Sequence, residues 1–147
     1  MAVNAGGSGL LLDVNVLLAL GWAEHEAHEV VVERLSQGST STWVTCPITQ
    51  LGFIRISSTS GVFSYALRPD QAKAALAALC SDERHRFISD HPSVLDCDLA
   101  MLDGPRQTTD AYLVALARHH GLRLLTLDKR LAQPFPGEPI ELLSVVV

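Results

Sequence analysis

Three aspartates occupy positions from which a small parallel α/β domain would bring their carboxylates together. Asp13 follows the apolar run 10–12, Asp128 follows the run 124–127, and Asp110 opens a run with helical spacing. Because the carboxyl ends of parallel strands meet at one edge of a sheet, Asp13 and Asp128 are expected to be neighbours there. Three carboxylates form a hard, oxygen-only site. Such a site predicts a divalent cation such as Mg²⁺ or Mn²⁺, and therefore chemistry on phosphate esters.

Composition limits the classes of protein to be considered. With 147 residues, of which 48% are apolar and 18% charged, the chain predicts one globular domain with a real core. A net charge of −5 argues against a bulk electrostatic nucleic-acid binder. The three cysteines are scattered without a C-x-x-C spacing, which favours a reduced, cytoplasmic setting over a disulfide framework or zinc site. The apolar stretch 14–23 is too short to span a bilayer, so no membrane association is expected.

Strand-like and helix-like patterns alternate along the chain. Strands are predicted at residues 10–13, 43–46, 86–89, 122–127 and 140–143. Helices are predicted from residue 16, at 25–35, 48–56 and 69–79, as a short segment at 93–102, and from Thr108 or Thr109 to His120. This alternation predicts an α/β fold, a parallel β-sheet flanked by helices on both faces. The domain is expected to span residues 10–147, after a flexible leader of residues 1–9.

The helix that carries Asp110 would hold this carboxylate in its first turn. There the helix dipole favours the ionised form, which is the form that binds metal. Residues 110, 114 and 117 share one side of the helix, so Asp110 would lie above an otherwise buried face. For any one aspartate alone, a simple cap or turn is the stronger interpretation. For all three at compatible positions, a functional site is favoured.

Four blocks of sequence resemble, in the same order, those of PIN-domain proteins. They are residues 11–20, 46–56, 109–117 and 124–128. Spread over nearly the whole chain, they are similar to the toxin component of bacterial VapBC toxin–antitoxin pairs. The resemblance implies a single PIN-like domain and a Mg²⁺- or Mn²⁺-dependent endoribonuclease acting on RNA. It also implies a homodimer and a groove between the early helices that accepts a helix of a VapB-type antitoxin.

The second block departs from the family pattern at Gln50. Many PIN nucleases carry a glutamate there, whereas Gln50 offers a carbonyl oxygen and an amide donor without charge. It could hydrogen-bond a metal-bound water, but it would hold a second cation less well, because Mg²⁺ sites depend on carboxylates and retained water. The resemblance therefore leaves the number of ions and the rate open.

Five other residues are secondary candidates. Asn15 could orient Asp13 or a water, or simply cap the helix that begins at Val16. Thr109 could brace a carboxylate or act as a cap. Arg55 could contact RNA phosphate, although a structural ion pair is favoured for it. Lys129 and Arg130 directly follow Asp128 and are placed to meet an RNA backbone.

Two alternatives compete with the nuclease. One is a catalytically weakened PIN-fold binding module that acts only through its antitoxin or RNA. The other is a phosphatase with Asp13 as the nucleophile. The phosphatase is disfavoured because Asn15 and Leu17 stand where such enzymes usually show an aspartate and a threonine.

Overall fold

The computed structural model describes residues 9–37, 42–131 and 133–145. Within them, five strands form one sheet in the order β3-β2-β1-β4-β5, and every neighbouring pair is parallel. The strands are β1 (Gly9–Leu12), β2 (Thr42–Thr45), β3 (His85–Phe87), β4 (Arg123–Thr126) and β5 (Ile140–Leu142). The helices of this part are α1 (Val14–Gly21), α2 (His28–Ser36), α3 (Pro47–Ser57), α4 (Pro69–Leu79) and α5 (Thr108–His119).

Helices cover both faces of the sheet, because successive side chains of each strand point in opposite directions. Leu10 and Leu12 of β1 pack in a core with residues of α1 to α4. Leu11, between them, packs in a second core with α5. All three are at most 1% exposed, as expected for a central parallel strand covered on both sides. The predicted α/β architecture is therefore confirmed.

Two predicted helix caps are wrong. α1 begins at Val14, and the residue that caps it is Asp13, whose Oδ1 accepts the Val14 N–H at 2.8 Å. Asn15 lies inside the helix, because β1 ends one residue before Asp13 and leaves no room for a longer connection. At α5 the capping position belongs to Gln107, since a short 3₁₀ turn at Pro105–Gln107 leads directly into the helix. The predicted end of α5 is confirmed, with Gly121 at φ +68°.

Other predicted boundaries also change, with the strand ends moved by at most two residues. Residues 93–102 form only one 3₁₀ turn, Val94–Asp96, because the Ser93 side chain accepts the Leu95 N–H and so gives this backbone a local alternative to a helix. α2 begins at His28 instead of residue 25. Gly9, predicted to belong to the leader, is the first residue of β1, and the rest of that leader lies outside the described residues. Over the described ranges, no helix is both long and apolar enough to cross a bilayer.

Candidate active site

The three aspartates lie at the carboxyl edge of the sheet. Asp13 directly follows β1, Asp128 lies two residues after the adjacent strand β4, and Asp110 is in the first turn of α5. The Asp13 N–H donates to the Leu125 carbonyl at 2.9 Å, which ties the ends of β1 and β4 together. The parallel topology thus places three carboxylates from distant parts of the sequence in one region.

Asp13 is the most enclosed of the three, with 7% of its surface exposed. Besides capping α1, it accepts a hydrogen bond from the Thr126 hydroxyl to Oδ2 at 2.7 Å. Burial raises the pKa of Asp13 and the negative charge of Asp128 adds to this, whereas the bonds from Thr126 and Val14 lower it. Asp13 is therefore a buried carboxylate held in one orientation by two donors.

Asp110 is partly buried, and no hydrogen bond to its carboxylate is present in the described part of the chain. Its pKa is raised to about 6, first by burial and then by the negative charges of Asp13 and Asp128, while Arg130 opposes the shift. The negative charges of Asp13 and Asp128 therefore repel the ionised carboxylate of Asp110. A cation placed among them would relieve that repulsion.

Asp128 is held by the turn that follows it. Its Oδ1 accepts the Arg130 backbone N–H at 2.9 Å and lies 3.3 Å from the Arg130 Nε. The Asp128 N–H donates to the Thr126 hydroxyl at 3.1 Å. Thr126 is therefore bonded to two of the three aspartates, donating to one side chain and accepting from the backbone of the other. Sequence reasoning missed Thr126, although a hydroxyl residue inside the leucine-rich run 124–127 was a usable signal.

Two of the supporting candidates, Asn15 and Gln50, each make a side-chain hydrogen bond. The Asn15 Oδ1 accepts the Leu127 N–H at 3.2 Å, so Asn15 fixes the segment between β4 and Asp128 against α1. The Gln50 Nε2 donates to the buried Thr45 hydroxyl at 3.1 Å. The side-chain carbonyl oxygen of Gln50 accepts no hydrogen bond from any described residue.

Of the remaining candidates, one lines the hollow that contains Asp110 and Asp128, and the others do not. Thr109 is exposed and lines a different hollow, beside Ile48 and Tyr112. Lys129 lines another hollow, whereas Arg130 lines the one that contains Asp110 and Asp128. Arg55 is exposed in the last turn of α3 and makes no ion pair with any described residue, so the favoured structural ion pair is absent there.

The hollow beside the carboxylates has a volume of about 250 Å³. It is lined by Arg106, Gln107, Asp110, Asp128, Arg130, Leu131 and Pro134. Across residues 9–37, 42–131 and 133–145, no three side chains of aspartate, glutamate, histidine or cysteine stand close enough together to enclose a metal ion. The donor chemistry nevertheless suits a hard cation, since Asp13 is buried and Asp110 has no described donor.

Comparisons with known proteins agree with this architecture. Residues 10–134 match the family model described as PIN domain. The chain is 42% identical over 139 residues to Ribonuclease VapC38 of Mycobacterium tuberculosis, covering 92% of this chain and 99% of that protein. It is 40% identical over 136 residues to Ribonuclease VapC39 of the same species, covering 90% and 98%.

Solved structures give the same fold at much lower sequence identity. VapC20 of M. tuberculosis, described as a sarcin–ricin loop cleaving toxin, matches with a TM-score of 0.59 and 14% identity, over 84% of this chain and 92% of that one. VapBC2 of Rickettsia felis, bound to a promoter DNA fragment, matches with a TM-score of 0.59 and 12% identity, over 92% and 98%. The chain belongs to the PIN-domain family. Its whole-length relatives are VapC proteins, which confirms the resemblance drawn from the four sequence blocks.

Proposed function

We propose that this protein is the toxin ribonuclease of a VapBC pair and cleaves RNA phosphodiesters with Mg²⁺ or Mn²⁺ held by Asp13, Asp110 and Asp128. The observation that carries the proposal is the position of these three carboxylates at the carboxyl edge of the sheet, with Asp110 and Asp128 in one hollow. Identity of 42% over nearly the full length of a protein named a ribonuclease supports the reaction type.

Each residue has a distinct part in this proposal. Asp13 is held by Val14 and Thr126 so that its orientation does not change when a cation arrives. Asp110, with no described donor, is the carboxylate most available to a new ligand. The Gln50 carbonyl oxygen could accept a hydrogen bond from a bound water. Because no three acidic groups in the described part of the chain stand close enough together to enclose an ion, water would complete its coordination, as is usual for Mg²⁺.

A bound divalent ion would lower the pKa of a coordinated water and stabilise charge on the phosphate oxygens during in-line displacement. The carboxylates supply the charge that holds it. The family resemblance implies that cleavage leaves a 5′-phosphate. Both carboxylate oxygens of the buried Asp13 accept a hydrogen bond. This disfavours the competing phosphatase, because there an Asp13 oxygen would have to attack phosphorus.

The function is tested by incubating purified, antitoxin-free protein with total and structured RNA in Mg²⁺, Mn²⁺ or EDTA. We expect discrete cuts with 5′-phosphate ends in either ion and none in EDTA. Folded protein that cuts no RNA in either ion would overturn the proposal and favour the binding module. Gln50→Glu, which restores the more common carboxylate, would then be the next protein to test.

We also propose that a VapB-type antitoxin binds beside the carboxylate edge. Two adjoining hollows of about 340 and 400 Å³ share Asn15, His25 and Glu26 in their linings. Leu18, Val62 and Phe63 line the first, and Leu142, Leu143 and Val145 line the second, so an apolar helix face could be buried there. Because Asn15 also contacts the segment before Asp128, a helix in this groove would reach the site. Full RNA cleavage by a stable complex with the cognate antitoxin would contradict this arrangement.

The proposed homodimer has a candidate surface elsewhere. Leu95 is 90% exposed and Leu51 is 67% exposed. Val94, which precedes Leu95, and Ile48, three residues before Leu51 in α3, line one hollow. We expect Leu95→Glu to convert a dimer to a monomer, because a charge at a buried interface is costly. Light scattering after size exclusion would measure this, with Val62→Glu in the antitoxin groove as a control that stays dimeric. A monomeric parent protein would refute the dimer.

A further inference from the structure

Two arginines face the same hollow as the carboxylates. Arg106 lies in the 3₁₀ turn immediately before α5, in the segment that leads to Asp110. Arg130 lies in the turn that follows Asp128. The segment that leads to Asp110 and the turn after Asp128 therefore each place an arginine beside an aspartate in this hollow. Both arginines are exposed.

Among the described residues, the Arg106 side chain has no partner, and the Arg130 side chain has only one exposed ion pair. The Arg130 Nε is 3.3 Å from Asp128 Oδ1, but the Arg130 side chain is 87% exposed, and such pairs contribute little to stability. Arg106 makes no ion pair or hydrogen bond through its side chain with any residue in the described ranges. Among the other exposed arginines, Arg118 pairs with Glu138 and Arg68 with Asp70. Arg55 makes no ion pair within the described ranges either, but it does not line this hollow.

A chain of net charge −5 with an acidic site repels a polyanion unless local cations offset the field. The planar guanidinium matches two phosphate oxygens at once, which makes arginine suited to this task. The position of both arginines in the lining of the carboxylate hollow suits an RNA backbone that must bring one phosphodiester to the aspartates.

We propose that Arg106 and Arg130 bind the phosphate groups of a single-stranded RNA on the two sides of the phosphodiester that is cleaved. Arg106 is the substrate-binding residue that sequence reasoning did not identify. This inference rests on the proposed function, because it takes RNA as the molecule that enters the hollow. The arginines contact phosphate and not bases, so they contribute affinity without sequence preference.

The test measures RNA binding and cleavage separately. Binding of a fluorescently labelled single-stranded RNA in EDTA is followed by anisotropy from low to moderate salt, for the full-length parent, Arg106→Gln and Arg118→Gln. Loss of one phosphate contact is expected to reduce the slope of log K against log salt by about 0.7. It should weaken binding about tenfold at low salt. Arg118→Gln removes the same charge at the far end of α5 and should leave the slope unchanged.

Cleavage kinetics with Mg²⁺ give the second readout. Arg106→Gln should raise KM about tenfold and leave kcat nearly unchanged, because the lost contact binds backbone that does not react. An unchanged slope, an equal loss in Arg118→Gln, or no measurable RNA binding by the parent would overturn the assignment. If the parent cleaves RNA but Arg106→Gln keeps the parental slope of log K against log salt, the role of the two arginines is refuted and the nuclease proposal stands. A parent that binds RNA with the predicted slope change but never cleaves it would refute the nuclease alone.

Discussion

Replacing Asp110 with asparagine is expected to abolish metal-dependent RNA cleavage while making the metal-free protein more stable at neutral pH. The loss of a carboxylate from the cation site should reduce cleavage by about a thousandfold or more, since several kcal/mol of charge stabilisation depend on the ion. Stability should rise because burial and the charges of Asp13 and Asp128 disfavour the ionised form of Asp110. Asparagine has nearly the same shape and carries no charge.

The gain in stability should depend on pH. The pKa of Asp110 is about 6 in the folded protein, above its ordinary value of 3.8, so the folded state binds this proton more tightly than the unfolded state. The penalty for ionising Asp110 is therefore absent below about pH 4, grows as pH rises through 6, and is complete above about pH 7. Because the side chain is partly open to solvent, we expect a gain of about 1 kcal/mol, or about 3 °C in Tm.

Thermal melts in EDTA at pH 4 and pH 8 would measure this effect. Asp70→Asn is a matched control, because Asp70 occupies the first turn of α4 as Asp110 does in α5 but is paired with Arg68 at the surface. Added Mg²⁺ should stabilise the parent protein and not Asp110→Asn, since a ligand that binds only the folded state raises Tm. A gain in Tm that is the same at both pH values, or a loss at pH 8, would contradict the electrostatic account.

Replacing Thr126 with valine is expected to reduce cleavage 10- to 100-fold, although Thr126 need not touch RNA or metal. Valine has the same shape but cannot donate to Asp13 Oδ2 or accept from the Asp128 N–H. Asp13 would lose one of the two donors that fix its orientation, and the turn to Asp128 would lose its anchor. The buried carboxylate left without this donor should also lower stability by about 1 to 3 kcal/mol.

The measurements are kcat, KM and the Mg²⁺ concentration for half-maximal rate, alongside thermal melts. A positioning role predicts a lower kcat and a higher Mg²⁺ requirement, with KM for RNA little changed. Thr126→Ser keeps the hydroxyl and should recover most of the rate. Thr126→Val with full activity at the parental Mg²⁺ requirement would refute this role, and so would a serine variant as impaired as the valine variant.

The positions of the aspartates were predictable because they depend on local pattern. A buried parallel strand appears as a continuous apolar run, so the places where Asp13 and Asp128 leave β1 and β4 could be located directly. The helical pattern of residues 109–120 placed Asp110 in the first turn of α5. The cap of α1 was assigned wrongly because two polar residues two positions apart, Asp13 and Asn15, could both cap. The choice between them depended on where β1 ended, which hydrophobic pattern locates only to within a residue or two.

Contacts between distant segments required the folded structure. Thr126 donates to Asp13 across 113 residues, and Asn15 bonds Leu127 across 112, because β1 and β4 are neighbours in the sheet. Hydrophobic periodicity indicates which face of an element is buried. It does not indicate which strands are adjacent or which donor lies within 3 Å of which acceptor. The amino-acid pattern therefore defined the fold class and the acidic edge of the sheet, whereas the hydrogen bonds that orient those carboxylates, and the presence of Arg106 beside them, were decided by tertiary packing.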